Sequence, residues 1–577
     1  MRYGTIPASA RRVLLEGGCP KNLKEVIETA VELYGDKPAF TEIRGKTPLT
    51  YSYNRFFDDV NAFGTALYSL GLEGRHIAIL GENSYFWIVS YFSAILLGVV
   101  IPLDKEQTPK TVKTLLEKSR ADAVICSEKW EENVLGLSSE LNKSVSVISR
   151  SESPSAGALS FEELLEKGRE LLDNGERGFA DREQDSEKMS AILFTSGTTG
   201  ANKGVMLSQK NICANIIAIT KLVPIKEPSF SVLPMNHAFE FNCHVLPAIF
   251  FGVKLAINSN MKYLMRNLRE YKPGMTVVVP LFVDEIYSAI IAKARHSGKY
   301  ELLMTATKLS NFLRRLGIDL RRRIFKGLLE NFGGNLSLMV CGGATINEVS
   351  ASALTSYGID IIPGYGITEC SPLVSADTAR RPKLGSVGKP VFGVEVKIAS
   401  PDGLGEGEIL IKGDNVCLGY YEDEKANSLS FTDGWFCTGD YGKIDRDGRI
   451  YITGRKKNLI VLENGKNVHP EEIENAVLEE IPYIREVVVH ENTVTKGEKS
   501  FRCIAATISL KPECDLALLS EVERNAAVAE DIRKVNKKLA SYKRIGNICV
   551  VTEEFEKTTT RKVIRELAIK EGTFLAV

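Results

Sequence analysis

The sequence predicts an α/β protein built on doubly wound parallel sheet, with antiparallel β structure and a separate α+β segment toward the C-terminus. Three observations carry this. Helical periodicity alternates with short β-branched runs through the first two thirds of the chain, as in strands joined by crossover helices. Around 381–450 the texture turns to short strands separated by Gly and Asp ("PDGLGEGEILIKGDNV", "DRDGRIYITG"), which suits an antiparallel sheet or a small barrel. After "GRKKN" at 454–458 the stretch "LIVLENGKNVHPEEIENAVLE" reads strand, hairpin, helix, and opens an α+β domain from about 456 to the end.

Taken in order, "RFFDDVNAFGTALYSLGL" is an amphipathic helix and "HIAIL" at 76–80 a buried strand. The longest apolar run, "WIVSYFSAILLGVVIPL" at 87–103, is slightly short for a membrane span and holds Gly98 and Pro102. It reads as a buried helix entering a strand. "DAVICS", "TVVVP" and "LSLMVCGG" are further parallel strands, and the polar stretch 173–189 is an exposed connection. Asn464-Gly465 signals a hairpin turn, and Pro470 with Glu471 and Glu472 starts a helix. There is no internal repeat.

A chain of 577 residues is too long for one compact core. With 44% hydrophobic and 25% charged residues it is of ordinary globular composition. Lys+Arg and Asp+Glu are both 73, so no global field recruits nucleic acid or an anionic membrane. The eleven cysteines are scattered singly from Cys19 to Cys549 without a CxxC pair. That opposes a disulfide framework or zinc ribbon and suits a reducing cytosol. The start, "MRYGTIPASARRVLLEGG", has no apolar signal-peptide core, so a cytoplasmic chain without a transmembrane segment is expected.

The chemistry concentrates at "ILFTSGTTGANKGVML", residues 192–207. A strand over 191–195, a loop over 196–204 and a helix opening near Ser208 would direct backbone N–H groups at an anion. Thr195, Ser196, Thr198 and Thr199 would add hydroxyl donors, Gly197 and Gly200 close approach, and Lys203 a point charge. The alternative is an ordinary polar turn. A Walker A loop is excluded, because Lys203 precedes Gly204 and Val205 instead of following GxxxxG and preceding Ser or Thr; this disfavours a generic ATPase.

"FTSGTTGANKGVMLS" closely resembles the signature of the acyl-adenylate-forming enzymes, the superfamily of acyl-CoA synthetases, firefly luciferase and peptide-synthetase adenylation domains. The resemblance extends from "TYSYNRFFDDVNAFGTAL" to "KTTTRKVIRE", with further motifs in order, and the overall texture is most like bacterial long-chain fatty acid–CoA ligases. It implies a large N-terminal domain, 1–454, of two doubly wound α/β subdomains plus a small β-barrel. A mobile α+β C-terminal domain, 455–577, would follow a hinge near 455–457.

The resemblance also implies roles. "CGGAT" at 341–345 would line an adenine site with Gly342, Gly343 and Ala344; without the resemblance it is a tight strand-to-helix turn. In "PGYGITECSP" at 363–372, Gly364 and Tyr365 would meet the base, Thr368 the α-phosphate and Glu369 Mg2+. In "WFCTGDYGKID", Asp440 would accept the ribose hydroxyls, joined by Ile452 and Arg455 of "YITGRKKN", while Lys457 marks the hinge and Lys456 a plain surface cation. In "FEKTTTRKVIRE", Lys562 falls on the catalytic lysine, with Glu556 and Arg561 where the family has proline and glycine. His237 and Phe241 of "LPMNHAFEFNCHVLPAIFFG" would stand at the edge and gate of an acyl pocket, although spacing alone equally suits core residues. Gln209, where the family commonly has His, opens a helix, and little effect is expected of it.

The implied reaction uses ATP, Mg2+ and coenzyme A to convert a fatty acid to acyl-AMP and then to acyl-CoA. An acyl carrier protein in place of CoA, or another carboxylic acid, remains open, as does a non-catalytic nucleotide-binding protein; the last is opposed by the presence of Lys203, Glu369, Asp440, Arg455 and Lys562 together. Peripheral membrane contact would suit a lipid substrate, but no polybasic amphipathic helix stands out.

Overall fold

A computed structural model of the chain describes residues 19–44, 47–141, 143–196, 202–220, 222, 225–378, 383, 385–462, 467–496, 499–512, 514–557, 563–569 and 574–577. By its internal contacts the chain divides into two units. The first comprises Met1–Val396, Ile411–Phe436 and Arg446–Ile450, the second Lys397–Leu410, Cys437–Asp445 and Tyr451–Val577.

The first unit carries two large sheets among its described residues. In the eight-stranded one, His76–Leu80 pairs in parallel with Val99–Leu103 on one side and Ala123–Cys126 on the other. In the nine-stranded one, Leu338–Cys341 lies in parallel between Met275–Val278 and Asp360–Gly366. Antiparallel strands close three of the four edges, as where Thr47–Ser52 pairs with Pro38–Arg44, and the parallel strand Ala158–Ser160 closes the fourth. Each of the strands read from the sequence is present.

The helices follow from capping and burial. Ser52 caps Tyr53–Ser69, and Ser84 caps Tyr85–Leu97, each accepting a backbone N–H of the first turn. All thirteen residues of Tyr85–Leu97 are buried. Burying each large apolar side chain contributes about 1.5–3 kcal/mol, which is why a run that resembles a membrane segment becomes the filling between layers. Among the described residues no helix is long and apolar enough to cross a membrane.

Five strands between Val394 and Arg455 form a third sheet, in the place expected of the small barrel. In the second unit, Ile484–Lys496, Lys499–Leu510, Asn547–Val551 and Leu575–Ala576 make a four-stranded sheet. Helices Pro470–Glu480 and Glu521–Asn536 bury Ile473, Val477, Val528 and Ile532 in one core with Val487, Val489 and Ile508 of that sheet. Ile460–Val461 pairs with Asn467–Val468 as a hairpin; its predicted turn, Asn464-Gly465, lies outside the described residues.

One local expectation is corrected. The segment after Thr195 is not strand, loop, helix: Met189–Ser196 returns as a second strand, Asn202–Ser208, with Thr195 opposite Lys203 and Ser196 opposite Asn202. The helix begins only at Gln209. At about 3.3 Å per strand residue, a helix that opens after this return strand is too far away to lend its N-terminus to an anion at the loop. Val205 and Leu207 decide the matter by alternation, both fully buried.

Candidate active site

The hairpin carries the first set of groups. Gly197, Thr198, Thr199 and Gly200 lie outside the described residues. Thr195 is half-buried, and so is Lys203, whose ammonium sits 4.8 Å from the centre of the Tyr420 ring, within cation–π range. Tyr420 gets there because Gly419–Tyr420 adds to the outer edge of the hairpin, Tyr420 opposite Val205. Its hydroxyl donates to Glu369 Oε1 at 2.8 Å. Burial, reinforced by the Glu369 charge, pushes the Tyr420 hydroxyl far above its ordinary pKa, so it remains a donor. Lys203 and Glu369, the predicted phosphate cation and metal carboxylate, are thereby joined through one aromatic ring that sequence reasoning did not flag. Only the pairing of two distant strands exposes it.

Glu369 and Thr368 lie in a single 3-10 turn, Thr368–Cys370, after the strand Asp360–Gly366. Three buried asparagines clamp this segment. The Asn415 side-chain amide donates to the carbonyls of Cys370 at 3.0 Å and Leu373 at 2.9 Å, and the Asn415 backbone carbonyl accepts from Ser371 Oγ. Asn215 accepts from Leu373 N at 3.1 Å, and Asn242 donates to Ser371 O at 3.3 Å. The backbone N–H of Cys417 donates to Glu369 O. Gly366 is required here, since a Cβ would stand 2.1 Å from Pro372 O.

At "CGGAT", Gly342 is buried, while Gly343 and Ala344 are exposed. A Cβ at Gly342 would lie 2.9 Å from the Phe239 ring and 3.3 Å from Gly364 O. The small residue at 342 therefore answers to Phe239, a reason invisible in the motif; Gly343 has φ +87°, which favours glycine. Tyr365 is half-buried, opposite Ser375 in the antiparallel pair.

His237 and Phe241 flank the turn Ala238–Glu240. His237 Nε2 is 3.6 Å from Asp104 Oδ2, beyond hydrogen-bond length. Phe241 is buried among Tyr91, Trp87 and Phe92, with ring centroids 4.0, 5.0 and 6.4 Å away, so this structure packs it in an aromatic cluster. It begins a π-helical turn, Phe241–Val245, a feature frequent at functional sites. Beneath it the buried His244 bridges Glu240 Oε1 at 2.9 Å and Ser229 Oγ at 2.5 Å.

In the second unit, Asp440 is buried and pairs with Arg455 Nε at 2.8 Å; its backbone N–H donates to Thr438 Oγ1. Ile452 is half-buried three residues before Arg455 in the same strand. Lys456 is exposed and pairs with Glu408, and Lys457 is exposed. Lys562 and Arg561 lie outside the described residues. The Glu556 carbonyl accepts from Ile564 N at 2.8 Å, a bond that the family's proline would make equally well.

Gln209 is more than a helix opener. Its carbonyl accepts from Leu23 N at 2.8 Å and its amide donates to Gln184 Oε1 at 2.8 Å, at a side chain almost wholly buried. The little effect expected of this departure gives way to a buried cross-link of three segments.

Among the described residues no three His, Cys, Asp or Glu side chains cluster as a metal cage. A lone carboxylate with one oxygen already accepting from Tyr420 fits a cation whose remaining ligands are phosphate oxygens and water.

The chain matches the model of the AMP-binding enzyme family over residues 27–421 and that of the AMP-binding enzyme C-terminal domain over 457–572. It is 30% identical over 476 residues to the long-chain-fatty-acid–CoA ligase FadD15 of Mycobacterium bovis, covering 79% of this chain and 76% of that one. To the chloroplastic long-chain-fatty-acid–[acyl-carrier-protein] ligase AEE15 of Arabidopsis thaliana it is 26% identical, over 95% and 85% of the two chains. In fold it is similar to ATP-bound MatB from Rhodopseudomonas palustris, with a TM-score of 0.72 at 20% identity over 94% and 97% of the chains. Matched by two family models in sequence order and by a relative across most of its length, the chain belongs to the AMP-binding enzyme family.

Proposed function

We propose that the protein is an AMP-forming acid–thiol ligase that activates a long-chain fatty acid with ATP and transfers the acyl group to coenzyme A. The observation that carries this reading is the similarity to FadD15 across four fifths of the chain, supported by the contacts that join Lys203, Tyr420 and Glu369.

In the first step an oxygen of the substrate carboxylate attacks the α-phosphorus of ATP and the bond to the bridging oxygen breaks, releasing pyrophosphate. The protein's work is positioning and charge neutralisation. Lys203 with the hydroxyls and N–H groups of 195–200 holds the departing phosphates, and Thr368 donates to the α-phosphate. Gly342, Gly343, Ala344, Gly364 and Tyr365 accommodate adenine; Asp440, Arg455 and Ile452 hold ribose. Glu369, steadied by Tyr420, would hold Mg2+, which would offset the phosphate charge. Lys562 neutralises charge developing between carboxylate and α-phosphate. In the second step the thiol sulfur attacks the acyl carbon, the acyl–phosphate bond breaks and AMP leaves. Rotation of 455–577 about a hinge at 455–457 would separate the steps, and His237 and Phe241 border the acyl site. Eleven cysteines scattered without a CxxC pair favour a reducing compartment such as the cytoplasm.

A second reading, transfer to an acyl carrier protein, is favoured by the similarity to AEE15. One assay separates them. Purified protein with MgATP is offered acids from acetate to oleate, plus benzoate, with and without CoA, while pyrophosphate, AMP and acyl-CoA are followed. CoA-dependent AMP release that peaks with long chains supports the first reading. Pyrophosphate release without acyl-CoA shifts the acceptor to a carrier protein, and silence on every acid overturns both.

A further inference from the structure

The helix Tyr300–Arg315 is the opposite of Tyr85–Leu97: of its sixteen residues only Ser310 is buried. Its exposed side is apolar. Leu302 is 67% exposed, Leu309 53%, Phe312 58% and Leu316, just past its end, 61%. At about 100° per residue these four fall within an arc of about 80°. Ile318, 47% exposed, continues the patch. Lys308 and Arg315 border the stripe on one side, Arg314 lies beyond the other, and Lys299 precedes the helix; all four are exposed. From Lys299 to Arg323 the sequence holds seven cations against two carboxylates, Glu301 and Asp319. A contiguous exposed apolar stripe with cationic flanks is unusual on a solvated surface.

We propose that this helix is an interfacial anchor that seats the protein on a lipid surface bearing anionic headgroups. A Leu/Phe face that enters the acyl boundary while Lys and Arg reach the headgroups is the physical signature of such helices. The charges select lipid over a second copy of the chain: packing stripe on stripe would oppose Lys308 and Arg315 to their own equivalents, which is repulsive. The whole-chain charge balance concealed this, because the compensating acids lie elsewhere in the sequence. The surface does not depend on the reaction; its use in drawing water-insoluble acids from a bilayer rests on the proposed function.

The test is flotation of the full chain with vesicles of phosphatidylcholine, with and without phosphatidylglycerol, alongside the double variant Leu309→Glu/Phe312→Glu and the charge variant Lys308→Glu/Arg315→Glu. The expected result is binding to the anionic vesicles that salt weakens and that each variant reduces by about tenfold or more, with unchanged thermal melts. Wild-type protein that stays with the aqueous phase, or variants that bind as well as wild type, would overturn the anchor. So would light scattering that shows a concentration-dependent dimer abolished by Leu309→Glu/Phe312→Glu, which would give the face to a second copy. None of these outcomes depends on acid activation, so failure of the anchor and failure of the proposed reaction are separately visible.

Discussion

The residues proposed to handle the nucleotide are secured in different ways in the two units. In the first unit, Glu369 sits on a turn whose carbonyls and N–H groups are taken up by Asn215, Asn242 and Asn415, all almost completely buried. In the second, the buried Asp440 is held by Arg455, whose side chain is 42% exposed, and the largely buried Glu408 is likewise held by the exposed Lys456. Neutral buried hydrogen bonds are costly to leave unmade and indifferent to salt. An ion pair with one exposed partner is open to water and salt on that side, while its buried carboxylate depends on the partner's charge. The first unit holds its turn in neutral buried hydrogen bonds, and the second holds buried carboxylates through cations that water can reach.

Several variants would break or sharpen this contrast. The largest effect is expected from Glu369→Gln. Losing the metal-holding charge should lower acid-dependent ATP–pyrophosphate exchange by about two to three orders of magnitude, the range for removing one preorganised electrostatic group, with an unchanged melt. Lys562→Ala should cripple adenylation yet spare thioester formation from supplied acyl-adenylate; equal loss of both would remove its assigned role. Asn415→Ala tests the frame itself: carbonyls of Cys370 and Leu373 left unsatisfied should cost about 1–3 kcal/mol each at most, seen as a lower melting temperature together with slower exchange. If activity falls while the melt holds, the turn is not clamped as described.

Tyr420→Phe keeps the ring over Lys203 and deletes the donor to Glu369. A hydrogen bond to a charged group contributes about 1.5–3 kcal/mol. The Mg2+ concentration needed for half-maximal ATP binding, followed by calorimetry, should therefore rise by about tenfold or more, while binding of metal-free ATP is unaltered. The smallest effect belongs to His469 of the second unit, buried near Glu406, Glu471, Glu472 and Lys543. Burial lowers its pKa below the ordinary 6.5 despite those carboxylates. Since the folded state prefers neutral imidazole, the stabilisation is complete above pH 6.5 and is lost as pH falls through the depressed folded value. Melts of His469→Gln should show a flatter acid limb than wild type.

The alternation of apolar strands and helices was open to reading because a parallel sheet buried on both faces needs continuous apolar runs, as in "HIAIL" and "LSLMVCGG". The candidate site was half legible. Lys203, Glu369, Asp440 and Arg455 stand in motifs dense with glycine and hydroxyls, which betray close backbone approach. Tyr420 and the three asparagines stand in ordinary context, and nothing local separates a buried asparagine from an exposed one. Phe239, which dictates the glycine at 342, and Gln209, which ties Leu23 to Gln184, were hidden for the same reason.

By itself the sequence determined the fold class and the order of the motifs, because hydrophobic period and glycine placement are local constraints that any fold of this chain must honour, and the kind of chemistry followed from the resemblance those motifs carry. Tertiary structure alone decided the rest. It made the segment after Thr195 a hairpin, since only a neighbouring strand can satisfy the N–H and C=O groups of 202–208. It set Tyr420 between Lys203 and Glu369, which are 166 residues apart in the chain. It also buried every residue of one apolar helix, Tyr85–Leu97, while leaving the stripe of another, Tyr300–Arg315, in water. Periodicity specifies that a helix has an apolar face; which faces are covered depends on what the remainder of the chain brings against them.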